Sequence, residues 1–244
     1  MTIKIIQLTS QEAVAFNRFC KVALEMPQDR FEIKSQAQSL VSSGRVLWKK
    51  VGDVFEGVQQ HCQIFQRENR DFSSLVARRT LSQSSVDLDS LTQLKEQIGQ
   101  YKCSVLSCTQ AVIGRQKSLE KQASNLYQKT SEHILTLSKD SNRLKIRSHL
   151  VAIGRDFGIV CKQKSHVTSL QRSLDGLQSL VEKVIQCVDH VGIEGQFIVK
   201  EVERLVTSSI SDVEFRDSLK NVFARNKKVL RGVTKFLQEL KACK

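Results

Sequence analysis

Residues 167–191 read VTSLQRSLDGLQSLVEKVIQCVDHV. Within them Val167, Leu170, Leu174, Leu177, Val181, Val184, Val188 and Val191 are separated by alternating steps of three and four. That spacing holds one apolar stripe toward a neighbouring helix over many turns. The same steps recur upstream at Ile33, Ala37, Leu40, Gly44, Leu47, Val51, Val54 and Val58, and again at Leu91, Leu94, Ile98, Tyr101, Val105, Cys108 and Val112. Arg115 interrupts the latter run before Leu119, Ala123, Leu126, Ile134 and Leu137 resume it. Phe215, Leu219, Val222, Leu230, Val233, Leu237 and Leu240 line a last helix. The four seams can pair with one another or with a second chain, and spacing alone does not decide between them.

The boundaries follow from capping chemistry. Thr9 with Glu12, and Ser211 with Glu214, have the capping-box spacing, and Ser90 with Gln93 resembles it. Pro27 ends a first helix near residues 10–26, because its ring cannot continue the preceding turn. Residues 2–8 suit a short strand or extended arm. Asp29 with Glu32 restarts a helix, Ser82–Ser85 suits a chain reversal, and Gly154 with Gly158 suggests a joint. Gly192 and Gly195 read as the end of the cleanest seam, with a short helix following near residues 197–206. Gly44, Gly99, Gly114 and Gly176 fall inside expected helices, where each costs about 1 kcal/mol relative to Ala and so suggests close helix contact or a kink.

The expected fold is all-α: an elongated antiparallel helical bundle or coiled coil of four to six helices, two of them very long. The expected organisation is an N-terminal arm and short helix over 1–28, a long helical hairpin over 29–153, and C-terminal helices over 154–244 packing on that hairpin as one continuous domain. One Pro and 11 Gly in 244 residues leave too little punctuation for an all-β or doubly wound α/β fold.

Motifs for chemistry are absent. There is no GxxxxGK[ST] phosphate cradle, no GxSxG elbow, and no His pair spaced i, i+4 around a glutamate. Asp156-Phe157-Gly158 matches a kinase metal-binding triplet but lacks every companion motif. Cys20, Cys62, Cys103, Cys108, Cys161, Cys187 and Cys243 contain no CxxC pair and read as apolar fillers of a reduced protein. No enzyme activity, cofactor, metal or small-molecule substrate is expected. The N-terminus lacks the features of a signal peptide, and no apolar run has the length to span a bilayer. A cytoplasmic or other reducing compartment is the expected location.

Charge is the feature that rises above this background. The chain carries 38 Lys+Arg against 25 Asp+Glu, a formal net charge of +13. The excess gathers in two places. Arg143, Lys145, Arg147, Arg155, Lys162 and Lys164 form one cluster; Arg216, Lys220, Lys227, Arg231 and Lys235 form a stripe on the last helix, away from its apolar face. Cationic stripes attract phosphate-bearing surfaces. With two Tyr and one Trp for base stacking, nucleic acid is the less favoured partner. The 27 Ser and 23 Gln leave much of the polar surface neutral. The sequence therefore suggests a non-enzymatic scaffold, adaptor or effector-type subunit acting through coiled-coil faces, by self-association or with a protein partner. The alternative is a peripheral protein that engages anionic lipid through basic helix faces. On the first reading, the last helix from Ser211 is expected to bind a partner and to be dispensable for folding of the remainder.

Overall fold

A computed structural model describes residues 8–27, 33–71, 74–76, 81, 87–137 and 143–241. The fold is an all-α bundle. Its principal helices are α1 (Ser10–Ala13), α2 (Ala15–Glu25), α3 (Ile33–Glu68), α4 (Leu88–Leu137), α5 (Arg143–Thr207) and α6 (Asp212–Lys241). At ~1.5 Å per residue, the 65 residues of α5 extend roughly 100 Å.

Thr9 caps the chain's first helix as its spacing predicts: its Oγ1 accepts from Glu12 N at 3.2 Å, while Thr9 N donates to Glu12 Oε2 at 2.8 Å. A turn at Val14 separates α1 from α2, so the single helix expected over 10–26 is two. Met26 is extended at ψ 130°, the conformation that a following proline demands, and α2 stops at Glu25. At α4 the cap is Asp87 rather than Ser90; Ser90 N donates to Asp87 Oδ1 at 3.0 Å, and these hydrogen bonds hold the Asp87 carboxyl below its ordinary pKa. Ser211 caps α6 through Glu214 N at 3.3 Å. The arm at 2–7, the restart at 29–32 and the reversal at Ser82–Ser85 lie outside the described residues.

Two further expectations are corrected. Gly154 and Gly158 form no joint, and Gly192 and Gly195 end nothing: all four lie inside α5, which runs unbroken from Arg143 to Thr207. The side chains around them supply a long inward stripe, and the roughly 1 kcal/mol lost at each glycine is small beside the burial of a whole seam. Helix α4 ends at Leu137 and α5 begins at Arg143, so the long antiparallel hairpin consists of α4 and α5, not of the two helices upstream of residue 153.

Ion pairs mark the hairpin's register. Lys95 meets Asp189 at 2.6 Å, Lys102 meets Glu182 at 3.2 Å and Lys164 meets Glu120 at 3.4 Å. Arg115, whose charge interrupts the seam, is 6% exposed and donates from Nη2 to Gln163 Oε1 at 3.1 Å. Helix α3 lies antiparallel to α4, with Tyr101 Oη donating to Leu40 O at 3.1 Å. Against α3 runs α6, where Phe55 stacks on Phe236 at 4.6 Å and Asn226 Nδ2 donates to Cys62 O at 3.0 Å. Helix α6 also packs on α5, and there Arg225 pairs with the buried Glu194 at 2.9 Å while covering the Phe197 ring at 3.7 Å.

Among the described residues the bundle has four columns, and one of them is assembled from the first and last described helices. Helix α6 fills its lower part and ends near Lys241; α1 and α2 continue it in the same direction. Leu8 N donates to Glu239 Oε2 at 3.0 Å, and Ser179 Oγ donates to Glu12 Oε1 at 3.4 Å. All four seams thus turn inward to one core, from Leu40 and Val51 through Val105 and Leu177 to Val233. A second cluster, with Phe65, Val202, Phe215 and Leu219, closes the end where α5 turns into α6.

Candidate functional site

Burial stops part-way along the hairpin. On α4 the last fully packed side chain is Leu119; on α5 the first is Val160. The registers explain this. Phe16 of α2 and Tyr101 of α4 meet at Gly44, and Ala15 meets Gly176, so α3 and α2 both end beside the stretch of hairpin around Leu119 and Val167. Beyond it, among the described residues, only two helices remain, and two helices can bury only the faces they turn to each other. This distal stalk extends about 25 Å past the body at ~1.5 Å per residue. His133 and His149 stack across it, ring centroids 5.7 Å apart.

The stalk carries apolar side chains that no third helix covers among the described residues. Tyr127 is 73% exposed, Leu135 69%, Val151 59% and Ile134 55%, with Phe157 and Ile159 exposed as well. On α5, Arg147, Val151, Arg155, Ile159 and Lys162 succeed one another by steps of four, four, four and three, which places them within about 120° of arc, opposite the inward Val160 and Val167. Cations and apolar groups therefore alternate along one solvent-facing stripe.

The sequence-derived cations divide accordingly. Arg147, Arg155 and Lys162 stand exposed on the stalk stripe. Lys164 is exposed at its root, tied to Glu120. The backbone at Arg143 and Lys145 belongs to α5, but their side chains lie outside the described residues. On α6, Arg216, Lys220, Lys227, Arg231 and Lys235 are all exposed on one side. Lys220 is held by Asp217 at 3.3 Å and Lys235 approaches Glu239 at 3.9 Å. The two clusters are not brought together: α6 ends beside Leu180, which is roughly 50 Å along α5 from Arg147 at ~1.5 Å per residue. They are separate surfaces.

The apolar half of the stalk escapes a reading by charge and motif. Its signal is in the sequence nonetheless: after Arg115 the three-four rhythm loosens, and Leu135, Phe157 and Ile159 appear off the seam. Phe157, in the stray kinase-like triplet, is one of these exposed apolar groups.

Elsewhere the polar chemistry is structural. Burial pushes the thiols of Cys62 and Cys187 up to about 12 and that of Cys108 to about 11, so they remain neutral fillers. Cys103 and Cys161 are exposed. Arg204 bridges Glu201 and Glu214, each at 2.8 Å, across the α5–α6 turn, and its hydrogen bonds hold the Glu201 carboxyl below the usual range. Among the described residues no group of three or more His, Cys, Asp and Glu side chains is placed to hold a metal ion, and no helix is long and apolar enough to cross a membrane.

No protein-family model matches the sequence, and no curated protein matches it. Solved structures with a similar arrangement of long helices include soluble AhlC of the tripartite alpha-pore forming toxin AHL from Aeromonas hydrophila, at 9% identity and a TM-score of 0.48, covering 92% of this chain and 97% of that one. XaxA from Xenorhabdus nematophila is 11% identical with a TM-score of 0.45, covering 98% of each chain. A triple head mutant of soluble AhlC gives 9% identity and a TM-score of 0.41, covering 94% of this chain and 98% of that one. Likeness at this level says nothing about activity.

Proposed function

We propose that this chain is a non-enzymatic interaction protein that settles on an anionic membrane surface through the distal stalk of its α4–α5 hairpin. The observation that carries the reading is the stripe Arg147–Val151–Arg155–Ile159–Lys162. Its apolar members gain by leaving water for the acyl boundary, while its cations meet lipid phosphates at headgroup level. Tyr127 and Leu135 on α4 add apolar area at the same end. The heptad faces are a less apt docking surface, because in the body each is filled by another part of the same chain. The α6 stripe is a second basic face of the body, with no comparable set of exposed apolar side chains beside it.

Co-sedimentation with phosphatidylcholine vesicles, with and without phosphatidylglycerol, tests the proposal. Binding is expected only with the anionic lipid, falling as salt rises. Arg147→Glu with Arg155→Glu should reduce it more than tenfold, and Val151→Asn with Ile159→Asn should also weaken it, all with thermal unfolding unchanged. Equal binding to neutral vesicles, or full binding by both variants, would overturn the reading.

A further inference from the structure

Among the described residues, the fourth column has a gap where its two halves meet. The C-terminal turn of α6 and the flank of α2 are separate helices from opposite ends of the chain, and side chains of neither fill the space between them. A cavity of about 300 Å³ results, lined by Phe16, Cys20, Trp48, Leu180 and Leu240 with Asn17, Arg45 and Lys49 at its rim. The lining joins four elements: Phe16 and Cys20 from α2, Trp48 from α3, Leu180 from α5 and Leu240 from α6. Its floor is apolar, since Phe16, Cys20, Leu180 and Leu240 are all buried.

Arg45 and Lys49 are successive cations on one face of α3, four residues apart. Both are exposed, and no ion pair is formed by either among the described residues. Arg45 stands near enough to Cys20 to favour its thiolate, against the larger effect of burial, which pushes that thiol up. An anion at the rim would therefore face two cations beside an apolar chamber.

We infer that this cavity is a binding site for a small amphiphilic carboxylate with a single hydrocarbon body, of the medium-chain fatty acid class. Three features select that class. The volume is at the lower end of the range for small-molecule pockets, which suits one hydrocarbon chain rather than the two of a phospholipid. An apolar floor excludes sugars and nucleotides, whose hydroxyls and phosphates would lose their water without finding partners. The paired cations at the mouth select an acid over an alcohol, with the Arg45 guanidinium able to take both carboxylate oxygens. An occupant would also touch both halves of the column and so hold α2 against the end of α6.

The test uses the chain's only tryptophan, which lines the cavity. Decanoate, added below its micellar concentration to the full-length protein, should change Trp48 emission along a saturable curve, and should slow alkylation of Cys20 in a Cys103→Ser, Cys161→Ser background. Decanol should bind at least tenfold more weakly than decanoate. Arg45→Gln with Lys49→Gln, both at exposed positions, should weaken decanoate at least tenfold and leave decanol unchanged. Linear, non-saturating emission changes would overturn the site. So would equal affinity for acid and alcohol, or a double variant that binds decanoate as the parent does.

Discussion

At Gly44 a single missing methyl group lets three helices meet. A Cβ built there would stand 2.4 Å from Phe16 Cε2 and 2.6 Å from Tyr101 Oη, inside any allowed contact distance. Neither ring can simply step aside: Tyr101 is hydrogen-bonded to Leu40 O, and both rings pack edge-on against Trp48 at 5.9 and 6.2 Å. Overpacking of this kind costs about 1–3 kcal/mol, against which alanine's helix preference returns about 1 kcal/mol. Gly44→Ala should therefore lower unfolding free energy by roughly 1 kcal/mol, the middle of the net range of about 0–2 kcal/mol, in a urea titration; a higher midpoint would show that the rings give way. Spacing correctly marks Gly44 as a close approach, but the same argument fails at Gly99 and Gly114, where nothing lies within 4 Å, and at Gly176, which has only ordinary contact at 3.7 Å. A glycine in a heptad run shows that a side chain is missing; only the neighbouring column shows whether one would have fitted.

Among the elements, α6 is the one whose role changes most between sequence and structure. Its basic stripe suggests a detachable, partner-binding helix. Its other face, however, buries Phe215, Leu219, Val222, Val229, Val233, Phe236 and Leu237 in both core clusters. A chain truncated at Ser211 would uncover the α3 seam from Val51 to Phe65 and the α5 seam opposite it. Each large apolar side chain returned to water costs about 1.5–3 kcal/mol, so their sum exceeds the net stability of an ordinary domain. The truncated chain is expected to lose its cooperative thermal transition by calorimetry. Retention of a sharp transition would show that α2 to α5 form a self-sufficient bundle. Seams, the Thr9 and Ser211 caps and the Pro27 stop were legible because each is a local pattern, whereas Asp87 takes the capping role expected of Ser90. The position of the hairpin turn was not, because glycines inside a long helix and glycines at a joint look alike until the packing partner is known.

For the molecule as a whole, the division into body and stalk determines what can be removed. Among the described residues between Ala123 and Val160, only the half-buried Leu126 packs on the core, so joining Ala123 to Val160 through a short glycine-rich loop should leave the melting temperature of the body within a few degrees. Solution scattering should record a maximum dimension shorter by about 25 Å, and anionic vesicle binding should disappear with the stalk. A shortened protein that no longer unfolds cooperatively would mean that the stalk, not the body, organises the bundle. The basic clusters were readable as charge runs, yet their separation along α5 was not, since distance between clusters depends on which helices fold back. The stalk's exposed apolar groups were hidden for a related reason: whether a leucine is core or surface depends on how many columns surround it.

The column shared by the two ends of the chain also orders events during synthesis. Helices α1 and α2 leave the ribosome first, but their seat against Gly176, Leu180 and Glu239 does not exist until α5 and α6 have followed. Phe16 can meet Gly44 and Trp48 of α3 early, but Ala15 reaches Gly176 only once α5 has followed, and long-range closure of this kind is slow relative to local helix pairing. The docking of α2 against α5 therefore waits on the rest of the bundle, and its apolar face is only partly covered until then.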